Sequence, residues 1–210
     1  MALYCPLCNS NSKSYYKYKQ QEFLKCTNCC SVFLHPQHYV SLTDEKAHYN
    51  THNNDPFDIR YQNFVRPVIT IITKHFSQKD TGLDFGSGTG SPIVKLLTDY
   101  GYTISQYDLF FHPDAAVLQK QYNYITCTET AEHFKEPYKE FLQLRKMLLS
   151  NGKLVLMTVL LDENIDFEKW YYKDDPTHVF FYHPKAFEWI KDTFGFKKIT
   201  INDRVITLDA

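Results

Sequence analysis

The sequence predicts an α/β protein built on a doubly wound, mostly parallel sheet, with a small metal-stapled module at its amino-terminal side. Three observations carry this. From residue 57 onward, helical and strand-like stretches alternate, the pattern of a sheet covered on both faces. "KLVLMTVLL" is apolar on both faces, as a central strand of such a sheet must be. Five of the six cysteines crowd into residues 1–40, a texture unlike the remainder. The 210 residues are 43% hydrophobic and 16% aromatic, enough for a real core, and the formal charge of -1 gives no global pull toward nucleic acid or anionic membrane. The start "MALYCPLCNS" has neither a basic n-region nor an apolar h-region, and no run approaches the ~20 apolar residues that span a bilayer. A cytoplasmic protein without membrane partners is therefore expected, in a reducing compartment where clustered cysteines bind metal more often than they pair.

Residues 1–40 carry Cys5 and Cys8 as C-P-x-C and, seventeen residues on, Cys26 and Cys29 as C-x-x-C. Two such turns converge four thiolates on a tetrahedral zinc, which would supply folding energy that about forty residues cannot draw from burial alone. Two disulfides are the alternative. Cys30 is surplus, and Cys127 reads as core. Residues 41–56, "SLTDEKAHYNTHNNDP", read as a polar connector to a domain at 57–210. There, "FVRPVITIITKHF" has helical spacing, with Pro67 opening or kinking the helix. "TGLDF" is a buried strand. "SPIVKLLTDYG" is a helix with Ser91 as N-cap, Pro92 in the first turn and Gly101 beyond its end. "YTISQYDLF" and "YNYITCTE" are strands, and "EPYKEFLQLRKMLLSNG" is an amphipathic helix stopped by Asn151-Gly152. "HPKAFEWIKDTFG" is a Pro-opened, Gly-closed helix, and "KKITIND" with "RVITLDA" forms an antiparallel pair turning at Asn202-Asp203.

The chemistry centres on "LDFGSGTG", residues 83–90. It lacks the Gly-Lys-Ser/Thr end of a phosphate-binding loop and is not G-x-S-x-G. Its third glycine also comes one residue early for the dinucleotide pattern. Asp84, two residues before Gly86, would repel a pyrophosphate and favour a ligand with positive charge. S-adenosylmethionine, with an ammonium, a sulfonium and no phosphate, meets that condition. Asp108, ending the next strand, suits ribose hydroxyls.

"LDFGSGTG" followed by "YDLF" resembles the class I S-adenosylmethionine-dependent methyltransferases over roughly residues 57–210, closest to the broad methyltransferase type 23 group that includes ubiquinone-type O-methyltransferases. The resemblance implies that Asp84 faces the methionine end, that Gly86 and Gly88 bed the cofactor, and that Asp108 binds the ribose. Ser87, Thr89, Gly90, Leu109, Phe110 and Glu129 complete the expected cofactor site, bordered by Tyr49 and His52. The chain departs from the family between Leu109 and Asn123, where fifteen residues replace a full strand-helix unit. The sheet should therefore lack one edge strand, and the acidic residue that reads adenine has no counterpart. Phe110 or Phe111 could stack on the base instead, or both could be core.

The acceptor should lie at the carboxyl ends of the strands, near "TETAEHF" and "YYKDDPTHVFFYHP". These loops hold Glu132, His133, Tyr171, Asp174, Asp175, His178 and Tyr182. Glu132, His133 and His178 are the catalytic candidates, a histidine near neutral pKa suiting removal of an acceptor proton. Glu129-x-x-Glu132-His133 with His178 is also similar to the E-x-x-E-H plus distant His that binds a divalent ion in some ubiquinone O-methyltransferases and small-RNA 2′-O-methyltransferases. The alternatives are a metal-free His/Glu site and a structural histidine. The leading expectation is O-directed methylation of a small molecule or metabolite. RNA is the second, since a zinc ribbon before this domain also resembles ribosomal-RNA methyltransferases. A non-catalytic S-adenosylmethionine-binding or partner-docking module is the third.

Overall fold

The computed structural model describes residues 3–51 and 54–210. Three strands open the chain: β1 (Ser12–Tyr18), β2 (Gln21–Cys26) and β3 (Val32–Leu34). Helices α1 (Leu42–Tyr49) and α2 (Ile59–His75) follow, then β4 (Thr81–Phe85), α3 (Pro92–Asp99) and β5 (Thr103–Tyr107). The second half contains β6 (Tyr122–Thr128), α4 (Pro137–Lys146), β7 (Leu148–Met157), β8 (Phe180–Phe181), α5 (Pro184–Phe194), β9 (Lys198–Asn202) and β10 (Val205–Asp209).

The central sheet has six strands in the order β5-β4-β6-β7-β10-β9, with β10 antiparallel to both its neighbours and the β5-β4-β6-β7 pairings parallel. Among the described residues no strand lies beyond β5. The segment after β5 instead folds into the Asp108–His112 bridge and a short 3-10 turn, Ala115–Gln119. The expected loss of an edge strand is thus the observed topology, because fifteen residues suffice for one crossover only.

Local chemistry sets the element ends as read from sequence. The Ser91 hydroxyl caps α3 by accepting the Val94 N–H, and Gly195 closes α5 in the left-handed region. Of the two readings of Pro67, the structure shows it inside α2, a helix capped by Asp58, rather than at its opening. Two expectations need correction. The stretch 41–56 is not simply a connector, since it contains α1, capped by Ser41 with Asp44 and Glu45 in the first turn. Also, α4 ends at Lys146, and Asn151-Gly152 lies within β7, where the ladder slips between Tyr122 and Tyr124 to admit the extra residues. Tertiary pairing with β6 thus overrides the turn signal.

The amino-terminal strands form a second sheet, β1-β2-β3-β8, whose last strand comes from the segment just after His178. Val32 pairs with Phe181 and Phe33 with Phe180, whose rings stack at 6.2 Å. One apolar core accordingly runs from Cys5, Leu7 and Phe33 through Phe180 and Tyr182 to Leu83 and Leu156. A second core sits beneath α2 and α3, and a third joins Phe23, Val32 and Leu34 to Trp170 and Tyr172. No helix is long and apolar enough to cross a membrane among the described residues.

Candidate active site

A cavity of about 460 Å³ opens at the carboxyl ends of β4, β5 and β6. The glycine loop forms its floor. Gly86 and Gly88 have φ of +78° and +61°, and a Cβ on Gly86 would lie 2.2 Å from the Thr130 methyl. Gly90 serves differently: a Cβ there would lie 2.5 Å from the Asn54 carbonyl, so this glycine admits the segment that crosses the loop.

Asp108 organises the loop. Its carboxylate accepts the Gly88 N–H at 3.0 Å and the Phe110 and Phe111 N–H groups at 2.8 and 3.0 Å. Asp84 is withdrawn from the cavity. It is buried, accepts the hydroxyls of Ser91 at 2.6 Å and Thr126 at 2.7 Å, and burial pushes its carboxyl up from the ordinary range. The carboxylate that does line the cavity beside the loop is Glu129, at φ +46°. Burial and then the Glu132 charge push it up to about 8, against the pull of Arg204, whose Nη1 lies 4.0 Å away.

At one end of the cavity stand Glu132, His133 and His178. Their ligand atoms lie within 4.8 Å of one another, and the two imidazole rings meet edge-on at 4.8 Å. The His178 Nδ1 donates to the Tyr172 carbonyl at 2.6 Å and the His133 Nδ1 to the Thr177 carbonyl at 3.0 Å. A carbonyl can only accept, so both rings carry their proton on Nδ1, and in the neutral form Nε2 holds the lone pair. Glu132 is fully buried, accepts the Thr158 hydroxyl at 2.9 Å on Oε2, and has no hydrogen-bond partner for Oε1. Burial pushes its carboxyl up, opposed by His178, while burial lowers His178, opposed by Glu132.

Of the residues expected from sequence, Tyr49, Gly86, Ser87, Gly88, Asp108, Leu109, Phe110, Glu129, Glu132, His133 and His178 all line this cavity. Asp84, Thr89 and Gly90 do not, and His52 lies outside the described residues. Tyr171 is exposed, and Tyr182 is buried with its hydroxyl on the Ala131 carbonyl. Sequence reading named Tyr49 but missed the rest of α1. Its buried Glu45 accepts from Lys135 at 2.6 Å and from the Tyr49 hydroxyl at 3.1 Å, closing one wall. It also missed Glu140 and Gln143 of α4.

The four cysteines converge elsewhere. Cys5, Cys8, Cys26 and Cys29 place their sulfurs within 4.8 Å of one another, with Cys8 and Cys26 at 3.3 Å and Cys5 and Cys29 at 3.8 Å. Neighbouring thiols and burial push Cys5 and Cys29 up, whereas hydrogen bonds from the same neighbours pull Cys8 down and Cys26 to about 7. Such competition for negative charge suits a central cation. Cys30 stands outside the group, and Cys127 is buried in β6.

A family profile described as "Methyltransferase domain" matches residues 57–201. The chain belongs to this methyltransferase family. No curated protein sequence matches it. Among solved structures it is similar to the 1,6-didemethyltoxoflavin-N1-methyltransferase of Burkholderia thailandensis, solved with bound 1,6-didemethyltoxoflavin and S-adenosylhomocysteine. That match has a TM-score of 0.59 and 12% identity, covering 94% of this chain and 98% of the other. A SAM-dependent methyltransferase from Archaeoglobus fulgidus matches with a TM-score of 0.56 and 14% identity over 71% of this chain and 94% of that one. An O-methyltransferase family protein from Burkholderia thailandensis gives a TM-score of 0.54 and 12% identity over 80% of this chain and 62% of that one. The resemblance carried by "LDFGSGTG" and "YDLF" therefore holds at the level of family and fold.

Proposed function

We propose that this methyltransferase moves the methyl group of S-adenosylmethionine to a hydroxyl of a small-molecule acceptor. We further propose that residues 1–40 form a zinc-stapled module, held through Cys5, Cys8, Cys26 and Cys29, beside a methyltransferase domain at 57–210. The observation that carries the reaction is the pair of imidazoles with both Nδ1 atoms pinned to backbone carbonyls, set beside buried Glu132 in the cavity of the glycine loop. The donor supplies an electrophilic methyl on sulfonium. Asp108 would hold the ribose hydroxyls, and Glu129, beside the glycine loop, would take the ammonium. Six carboxylates line the cavity against one lysine among the described residues, which suits a cationic donor and opposes a pyrophosphate. His178 would take the acceptor proton at Nε2 as its oxygen attacks in line, and Glu132 would balance the imidazolium that forms. The buried setting keeps water from competing.

A second reading has its own support. Glu132, His133 and His178 present a two-histidine, one-carboxylate set whose partnerless Oε1 would suit a divalent ion; Glu129 falls outside this group. Such an ion would acidify the acceptor hydroxyl. Incubation with methyl-labelled donor and fractionated cell extract tests the reaction. Label in a small-molecule fraction, lost in His178→Asn, is the expected result; label in RNA overturns the acceptor class. Activity surviving chelation with the cysteine zinc retained leaves His178 as base, and activity that returns only with added Mg²⁺ or Mn²⁺ favours the ion.

A further inference from the structure

The cavity lining gathers into two groups besides the glycine loop and Asp108. One holds Glu132, His133 and His178. The other is a slot bounded by Phe85, Tyr107, Leu118 and Phe134 and closed by Glu140 and Gln143 of α4. Its rings are set for a flat ligand: Tyr107 stacks on Phe85 at 5.3 Å and 30°, and Phe134 meets Phe85 edge-on at 6.1 Å. Glu140 and Gln143 sit one turn apart, flanking the buried Phe141 and Leu144 stripe, so both face the space that a missing strand-helix unit leaves beside β5. Neither side chain hydrogen-bonds to another described residue, and burial pushes the Glu140 carboxyl up. Glu140 and Tyr107 line the same cavity, and the Glu140 charge adds to burial in raising the Tyr107 phenol.

A donor whose ribose sits at Asp108 projects its sulfonium and its base in opposite directions. The sulfonium must face the histidines. We propose that the adenine enters the aromatic slot and that α4 reads its edge, Glu140 accepting from the exocyclic amine and the Gln143 amide donating to a ring nitrogen. Adenine offers that donor beside ring acceptors, whereas hypoxanthine replaces the amine by a carbonyl and N1 by N1–H. A carboxylate can only accept, so it rejects the hypoxanthine carbonyl. A helix thereby takes over the reading that the absent strand would have supplied.

This rests on the donor reading above, and the test separates the two. Calorimetry measures S-adenosylhomocysteine and S-inosylhomocysteine on the wild-type chain and on Glu140→Gln, Gln143→Leu and Asp108→Ala. The wild type should prefer the adenine form by about tenfold or more, the scale of one hydrogen bond to a charged group. Glu140→Gln should narrow that ratio to about twofold, because an amide can turn its N–H₂ toward a carbonyl. Gln143→Leu should weaken the adenine form more than the inosine form, and both variants should melt at the wild-type temperature. Asp108→Ala should weaken both ligands alike and keep the ratio. An unchanged ratio in Glu140→Gln and Gln143→Leu, with Asp108→Ala still weakening both ligands, overturns the helix reading alone. Wild-type affinity in Asp108→Ala overturns the ribose placement beneath it.

Discussion

The two sheets of this protein are held by different means. The six-stranded sheet buries strands such as β7 between helices, and Leu154, Val155 and Leu156 are wholly inside. The four-stranded sheet has an open face: β1 exposes most of its residues, and its buried side chains come largely from β2 and β3 and from what they borrow across β8. A sheet that draws on its own core tolerates local loss, whereas one that leans on a thiol cluster and a neighbour does not. The two share an apolar core and, at its edge, a backbone junction. The Val179 N–H donates to the Glu132 carbonyl at 2.9 Å, and the Val179 carbonyl accepts the Leu34 N–H at 2.9 Å. A single residue, Val179, thus bonds both to the cysteine module and to the backbone of a catalytic candidate.

The largest expected effect comes from removing the staple. Cys26→Ser should lower stability by more than about 5 kcal/mol if the cluster holds zinc, given the ~10–16 kcal/mol apparent binding energy of such sites. Elemental analysis of the unchelated wild type should find one zinc per chain, and its absence breaks the contrast between the sheets. Phe180→Ala, at the junction, removes a fully buried ring packed 4.6 Å from Tyr182 and should cost about 3–5 kcal/mol in denaturant titration. A loss no greater than that of an exposed phenylalanine would show that the sheets are not coupled there.

Within the larger sheet the effects shrink. Asp108→Ala should cost roughly 1.5–3 kcal/mol of S-adenosylhomocysteine affinity by calorimetry, since the loop also loses the Gly88 partner. Ser91→Ala removes the α3 cap and one of two hydroxyls on buried Asp84, for about 1–2 kcal/mol of stability. A different kind of effect is that of pH through Glu129. A carboxyl raised in the fold gives stability that is complete below its unfolded pKa near 4.5 and lost as pH rises through about 8. Glu129→Gln should therefore melt like the wild type at pH 4.5 and above it at pH 9; equal melting at both would place Glu129 in free contact with solvent.

Much of this was legible in the sequence because the signals were local. The glycine loop, the Ser91 and Gly195 caps and the short gap after Asp108 each act over a few residues, and the six-stranded order follows from that gap. The His178–Glu132 pairing was legible only as a loop neighbourhood. What escaped depended on distant partners. Helix α1 lacks an apolar stripe; its available signals were Ser41 with Asp44 and Glu45, and its buried Glu45 is met by the distant Lys135 as well as by Tyr49. Strand β8 is two residues of an aromatic run and becomes a strand only against β3. Asp84 has the sequence position of a ligand contact, yet Ser91 and Thr126 claim both its oxygens.

The pairing of Phe33 with Phe180 also sets an order of assembly. During synthesis the cysteine turns emerge ahead of residues 41–210, and the metal proposed for them would be gathered while those residues are still unmade. Their sheet cannot close until the segment after His178 has left the ribosome, because its fourth strand is not local. Until then the edge of β3 stands open, with apolar Val32, Phe33 and Leu34 uncovered, the condition under which nascent chains associate wrongly. Early metal capture would hold the amino-terminal strands in register through that interval. Val179, next to the strand that ends the wait, also donates to the Glu132 carbonyl, so closing the small sheet and placing the Glu132 backbone fall to one segment.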